Sequence, residues 1–184
     1  MVKVAIQGYQ ASFHDVAAHK MLGDDISIVS CDTFVDVFKA LERGDVTYGV
    51  VATSNSIYGP IHESLHLFDQ YNVNVLDKTA VPIGQCLITM PGAKLPEITH
   101  VYSHPVALAQ CKGYLAEHLP NAILVSHADT AGAVADIAAW QDPHKAAIAG
   151  EAAAKLHDMQ LMAANIQAEK DNFTTFFLFT KTQS

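Results

Sequence analysis

The side chains able to do chemistry fall into three sets: ten histidines, three cysteines, and several turns rich in hydroxyl and amide groups. His62-Glu63-Ser64-Leu65-His66 matches H-E-x-x-H. On a helix this sets two imidazoles one turn apart with a carboxylate between them, as zinc hydrolases require. The match is short in a chain with 10 His. It follows Pro60-Ile61, where an exposed first helical turn is expected, and it lacks a third ligand. It reads as a solvated helix face, and no metal is assigned. Cys111 and His104 lie two helical turns apart, about 10 Å along the axis. That is too far for a nucleophile and its base, so Cys111 reads as core. Gly8-Tyr9-Gln10-Ala11-Ser12-Phe13 joins a strand to a helix. Strand-end turns of the same kind recur at Ser54-Asn55-Ser56, Ser103-His104 and Asp129-Thr130. Ligands of open α/β sheets bind beyond the carboxyl ends of strands, where helix N-termini offer free N–H groups. Four such turns point to a polar cleft built around an anion.

Composition narrows the ligand. The chain has 184 residues, 50% hydrophobic and 16% charged, with a net charge of −8. It has apolar material for a real core, and its acidity argues against nucleic acid and against anionic membranes. Ten Lys accompany a single Arg, Arg43. Two-point capture of a carboxylate normally uses Arg. An anion here must therefore be held mostly by backbone N–H groups, hydroxyls, His or Lys. Cys31, Cys86 and Cys111 are odd in number and widely spaced, which reads as free thiols in a reducing, cytoplasmic setting. The start, Met1–Ile6, reads as a strand without a signal-peptide core. No apolar run approaches the ~18 residues of a membrane span.

The elements that must position these groups alternate strand and helix. Strands are expected at Val2–Gln7, Ile26–Cys31, Tyr48–Thr53, Ile98–Ser103, Ala122–Ser126, Lys145–Ala149, Leu161–Gln167 and Thr174–Thr180, with a long β-rich passage over Val73–Met90. Helices are expected at Ser12–Leu22, Thr33–Arg43, Pro60–Tyr71, His104–His118, Asp129–Trp140 and Glu151–His157. The alternation predicts an α/β fold with mainly parallel sheets. The two long extended passages read as crossings between two α/β lobes around a cleft, with lobe one at 1–78 plus 165–184 and lobe two at 79–164. No internal repeat of fixed period is visible.

Several segments together resemble the prephenate dehydratase family. The first turn is similar to the family's G-P-x-G-T-[FY]. Val50–Gly59 is similar to V-P-I-E-N-S-x-x-G, and His104-Pro105-Val106-Ala107-Leu108-Ala109-Gln110-Cys111 to H-P-x-A-L-x-Q-C. Asp129-Thr130-Ala131 sits where the family has S-T-A. Asn165-Ile166-Gln167 and Asn172-Phe173-Thr174 look like its closing N-x-T-R-F block. The resemblance implies a bilobal fold similar to type 2 periplasmic binding proteins, a homodimer or higher homo-oligomer, and no cofactor. The implied reaction converts prephenate, a dicarboxylate, to phenylpyruvate with loss of water and carbon dioxide. The family's catalytic threonine carries over to Thr174. Ser12, Asn55, Ser56, His104, Asp129, Thr130, Thr175 and Phe176 fall on substrate-binding positions. The family's appended phenylalanine-sensing domain is not expected, since the chain ends at Ser184.

The departures gather at the turns. Ser54 replaces the Glu of E-N-S, Thr175 the Arg of T-R-F, and Asp129 the Ser of S-T-A. Tyr9, Ala11 and His14 replace Pro, Gly and Ser in the first turn. Losing a charged donor of this kind costs about 2–4 kcal/mol of transition-state stabilisation, with Lys78 and Lys112 as possible substitutes. Thr174 is expected to hydrogen-bond the departing hydroxyl, and His14, His104 or His127 could supply a proton near neutral pH. Two alternatives stand beside the dehydratase reading. One is a prephenate decarboxylase-type activity without aromatisation. The other is a catalytically silent protein that binds a small carboxylate.

Overall fold

The computed structural model describes residues 1–182. The chain divides into two compact units, residues 1–83 with 171–184, and residues 84–170. The crossings therefore fall at Ile83/Gly84 and Lys170/Asp171, later than the expected 78/79 and 164/165. The reason is the pairing of the last strand of the chain, which runs as far as Phe173 opposite Pro82.

The first unit contains β1 (Val2–Gln7), α1 (Phe13–Leu22), β2 (Ile26–Cys31), α2 (Phe34–Arg43), β3 (Tyr48–Asn55), β4 (Gly59–Pro60), α3 (His62–Gln70) and β5 (Val73–Pro82). The second contains β6 (Cys86–Thr89), a 3₁₀ turn at Leu95–Glu97, β7 (His100–Ser103), α4 (Pro105–Gln110), α5 (Lys112–His118), β8 (Ile123–Ser126), α6 (Thr130–Trp140), β9 (Lys145–Ala149), α7 (Glu151–Leu156) and β10 (Gln160–Ala163). The chain then returns to the first unit as β11 (Phe173–Lys181).

In the first unit the strand order is β2-β1-β3-β11-β5, with β4 paired outside this path to β3. The first three strands are parallel, and β11 is antiparallel to both its neighbours. Strand alternation divides the core between the two faces. Val4, Ile6, Val50 and Phe176 pack with Ala17 and Ala18 of α1. Ala5, Val51 and Phe179 pack with Val37 and Phe38 of α2 and Leu67 of α3. Helix α2 shows why these segments coil. Phe34, Val37, Phe38 and Leu41 recur at helical spacing. Thr33 accepts the Asp36 N–H at 3.2 Å, and Gly44 closes the helix in the left-handed region at φ 79°.

The second unit has the order β8-β7-β9-β6-β10. Strands β8, β7 and β9 are parallel, while β6 and β10 are added antiparallel. This is the same plan as the first unit, three parallel strands, then one antiparallel to them, then an edge strand antiparallel to that one, although no sequence repeat announces it. Two expected elements differ locally. The single helix over His104–His118 is two helices broken at Cys111, whose φ of −101° and ψ of 6° leave the helical register. The strand expected to run to Gln167 ends at Ala163, because Asn165 turns into the left-handed region at φ 53°.

Candidate active site

In the first unit, α1 leaves β1 over one face of the sheet and α2 leads back to β3 over the other. The gap beyond the carboxyl ends of β1 and β3 is thus the switch point at which doubly wound sheets take ligands. Thr174 lies on β11 directly opposite Asn55 of β3. Asn55 Nδ2 donates to Thr174 Oγ1 at 3.0 Å, to Asn172 Oδ1 at 2.7 Å and to the Phe173 carbonyl at 3.1 Å. Its Oδ1 accepts from the N–H groups of Ile57 at 2.9 Å and Tyr58 at 3.1 Å, closing the turn after β3. Thr174 Oγ1 therefore accepts, and among the described residues its own O–H proton has no acceptor. A hydroxyl that accepts one hydrogen bond becomes a stronger donor of the next.

The flanking groups hold this pair. Ser56 Oγ donates to the Asp171 carbonyl at 3.2 Å and accepts the Phe173 N–H at 2.9 Å. It serves the turn that carries Thr174. Thr175 faces Ser54 and Ala80 on its two neighbouring strands. The register against β3 shifts just after it, a bulge that re-aims side chains at a strand end. Ser12 is 4% exposed, and its Oγ accepts the Asp15 N–H at 3.4 Å. Its oxygen caps α1, and among the described residues its O–H proton has no acceptor. Phe176, expected at the substrate, is 1% exposed in the core. It contributes through His14, whose ring packs edge-on against it at 5.0 Å.

His14 corrects a second expectation. Its Nε2 accepts the Ala52 N–H at 3.1 Å, just past the point where β1 stops pairing with β3. Burial lowers its pKa to about 3, so at neutral pH the ring is uncharged and cannot deliver a proton as an imidazolium.

The second unit presents its own polar turns at the carboxyl ends of β7 and β8. His104 caps α4, Nδ1 accepting the Val106 N–H at 3.3 Å, which leaves Nε2–H as the outward donor. Asp129 caps α6 by accepting the Gly132 N–H at 2.6 Å. Burial pushes its carboxyl pKa up, opposed by that N–H and by His127. His127 bridges Asp136, 3.2 Å from Nε2, to the backbone of Asp129. Thr130 is the partly buried first residue of α6.

The H-P-x-A-L-x-Q-C block has a role that its residue types did not reveal. Gln110 Oε1 accepts from Gln85 Nε2 at 3.1 Å, and its carbonyl accepts the Ala168 N–H at 2.9 Å. Gln85 N–H in turn donates to Gln167 Oε1 at 2.9 Å. The block fastens the points at which the chain enters and leaves the second unit. Cys111 is fully buried, and burial pushes its thiol up to about 12, so it is packing, as the spacing predicts. His62, Glu63, Leu65, His66 and Asp69 line a shallow groove along α3. His66 Nε2 lies 3.0 Å from Gln70 Nε2, and no group of three metal-ligating side chains occurs among the described residues. No hydrogen bond among the described residues joins Lys78 or Lys112 to Thr174.

Asn172 is the site residue that sequence reasoning passed over. It is 1% exposed, and its Oδ1 is an acceptor for Asn55. Its available signal was its place as the asparagine of the closing N-x-T-R-F block, to which no role was given. The sequence model of the prephenate dehydratase domain matches residues 4–184.

The chain belongs to the prephenate dehydratase family. It is 33% identical over 180 residues to arogenate dehydratase 5 of Arabidopsis thaliana, covering 98% of this chain and 42% of that protein. It is 33% identical over 180 residues to the bifunctional chorismate mutase/prephenate dehydratase of Aquifex aeolicus, covering 98% and 49%. The chain thus spans about half the length of these curated relatives. The solved prephenate dehydratase of Arthrobacter aurescens, in complex with L-Phe, superposes with a TM-score of 0.89 at 25% identity, over all of this chain and 61% of that one. Within the family's plan, Thr174 and Asn55 occupy the closing block and the E-N-S turn. The departures at Ser54, Thr175, Asp129 and His14 fall at strand ends beside them or in the second unit's turns.

Proposed function

We propose that this chain is a lyase that converts prephenate to phenylpyruvate, with Thr174 as the group that assists departure of the ring hydroxyl. The observation that carries the reading is the Asn55–Thr174 pair. One amide holds the hydroxyl oxygen, and the hydroxyl proton remains uncommitted. In the reaction the ring carboxylate breaks its bond to the ring and leaves as carbon dioxide. The electron pair enters the ring, the C–O bond breaks, and the departing oxygen takes up a proton to leave as water. Aromatisation makes the step downhill, so the protein has to position the substrate and stabilise charge on the departing oxygen. A Thr hydroxyl is too weak an acid to ionise in its place. Thr174 donates a hydrogen bond that strengthens as the C–O bond lengthens, and the proton comes finally from solvent.

Ser56 and Thr175, beside Thr174 in the first unit, supply further polar groups for the substrate. We place the protein in the cytoplasm, supported by the free thiols of Cys31, Cys86 and Cys111; no helix among the described residues is long and apolar enough to cross a membrane. We also propose a homo-oligomer. The edge strand β5 exposes Val75 and Leu76, and open apolar edges are normally covered. The assay follows phenylpyruvate formed from prephenate, and phenylalanine formed from arogenate, with the parent chain and Thr174→Val. A drop of about 10²–10³-fold in kcat is expected. Unchanged turnover in Thr174→Val removes Thr174 from the reaction, and absence of turnover of both substrates removes the activity.

A further inference from the structure

His14 occupies an unusual place. It is the second residue of α1, yet its ring reaches the end of β3, filling the ladder position that β1 vacates beyond Ile6. It packs against Phe34 at the start of α2 with ring centroids 5.8 Å apart, and against Phe176 of β11 at 5.0 Å. Phe176 is two residues along β11 from Thr174. The ring thus stands at the switch point of the first sheet, between the starts of the two helices that leave on opposite faces.

Its hydrogen bonding fixes its chemistry. The Ala52 N–H can only donate, so Nε2 must be the unprotonated nitrogen. The ring proton then sits on Nδ1. Nδ1 has no partner among the described residues, and the residue is only partly buried. A buried histidine used only for packing would have both nitrogens satisfied or enclosed. Here one edge is satisfied by the backbone, and the other is an open donor whose tautomer cannot switch without breaking the Ala52 bond.

We propose that His14 is a substrate-binding residue, its Nδ1–H donating to a carboxylate oxygen of the substrate in place of the guanidinium that Thr175 lacks. The donor is neutral and fixed, so it discriminates by geometry and not by charge. It remains a donor across the whole range in which a free imidazole would change state. The inference rests on the proposed carboxylate substrate and adds the group that holds it.

The test separates the two edges of the ring. His14→Gln keeps an acceptor within reach of the Ala52 N–H and removes the Nδ1–H. His14→Met removes both. Kd for phenylpyruvate is measured by calorimetry, and KM and kcat for prephenate by turnover, from pH 5 to 9, with Tm in parallel. A hydrogen bond to a charged group predicts that His14→Gln raises both Kd and KM by about ten- to a hundredfold. Its kcat stays within threefold and its Tm stays near that of the parent. His14→Met shows the same loss of binding and a lowered Tm as well. Kd and KM of His14→Gln within twofold of the parent would overturn the proposal. So would a limb near pH 6.5 in the parent's Kd that vanishes in His14→Gln, because it would mean the ring acts as a cation. A parent that binds phenylpyruvate but turns over neither substrate removes the activity and leaves His14 to be judged on Kd. A parent that does not bind phenylpyruvate removes the donor role too.

Discussion

Asn55→Asp tests the site with almost no change of shape. The new carboxylate keeps the acceptor for the Ile57 and Tyr58 N–H groups, so the turn after β3 survives. It removes the amide that donates to three oxygens: Asn172 Oδ1 at 2.7 Å, Thr174 Oγ1 at 3.0 Å and the Phe173 carbonyl at 3.1 Å. The Phe173 carbonyl can only accept and is left facing a charged oxygen, whereas the Asn172 amide can flip its partnerless Nδ2 toward the new carboxylate. The third, on Thr174, can adapt by rotating its O–H to donate to the new carboxylate, which withdraws the hydrogen bond proposed for the departing oxygen. Losing one preorganised donor at a reacting oxygen costs about 3–4 kcal/mol, or 10²–10³-fold in kcat. Setting a carboxylate oxygen against the Phe173 carbonyl in place of its donor adds about 1–3 kcal/mol of lost stability. Because both substitutions act through one hydroxyl, Asn55→Asp combined with Thr174→Val should be no slower than Thr174→Val alone. Steady-state turnover of prephenate measures the first effect, urea unfolding the second, and the double-mutant cycle the coupling. Independent, multiplicative losses in the cycle, or an Asn55→Asp enzyme within threefold of the parent, would refute the idea that Asn55 acts by holding Thr174.

Three further outcomes follow from the geometry. His14 has a folded pKa of about 3 against 6.5 unfolded, so the unfolded chain binds more protons between these values, and stability should fall as pH drops from about 6.5 toward 3; unfolding free energies from pH 7 to 4 should slope less in His14→Gln. Gly49→Ala would set a Cβ 2.5 Å from Phe179 Cζ, in a ring stacked on Phe38, which should cost about 1–3 kcal/mol, with recovery when Phe179→Leu is added, read by thermal melts. Alkylation of the native protein at pH 8 should label the partly exposed Cys31 first and leave Cys111, whose thiol is pushed up to about 12, until the chain unfolds; early labelling of Cys111 by peptide mass mapping would contradict its burial.

The architecture was legible because strand and helix patterns are local. Phe34, Val37, Phe38 and Leu41 mark a helix without reference to anything else, and the caps at Ser12, Thr33 and Asp129 mark their starts. Thr174 and Asn55 were singled out through motif resemblance. That they touch, and that Asn172 joins them, depends on β11 pairing with β3 more than a hundred residues away. The same distance hid His14. Its imidazole resembles any free histidine until the Ala52 N–H and the aromatic rings enclose it. Ser12 and Phe176 were placed at the substrate through the same motifs; that Ser12 caps α1 could be read from local sequence, whereas the burial of Phe176 in the core depends on the packing of α1 and β3 around β11. The repeated strand plan was invisible for a related reason: topology is set by which edges pair, and unlike sequences can satisfy the same pairing.

The position of β11 has a consequence for biosynthesis. Strands β3 and β5 each bond to β11 and not to one another, so a nascent chain on the ribosome has both in hand long before the piece that unites them emerges. The second unit is made from one uninterrupted stretch and can close while translation continues. The first must wait for β11, and the segment that ends the wait is also the one that brings the Thr174 hydroxyl opposite Asn55.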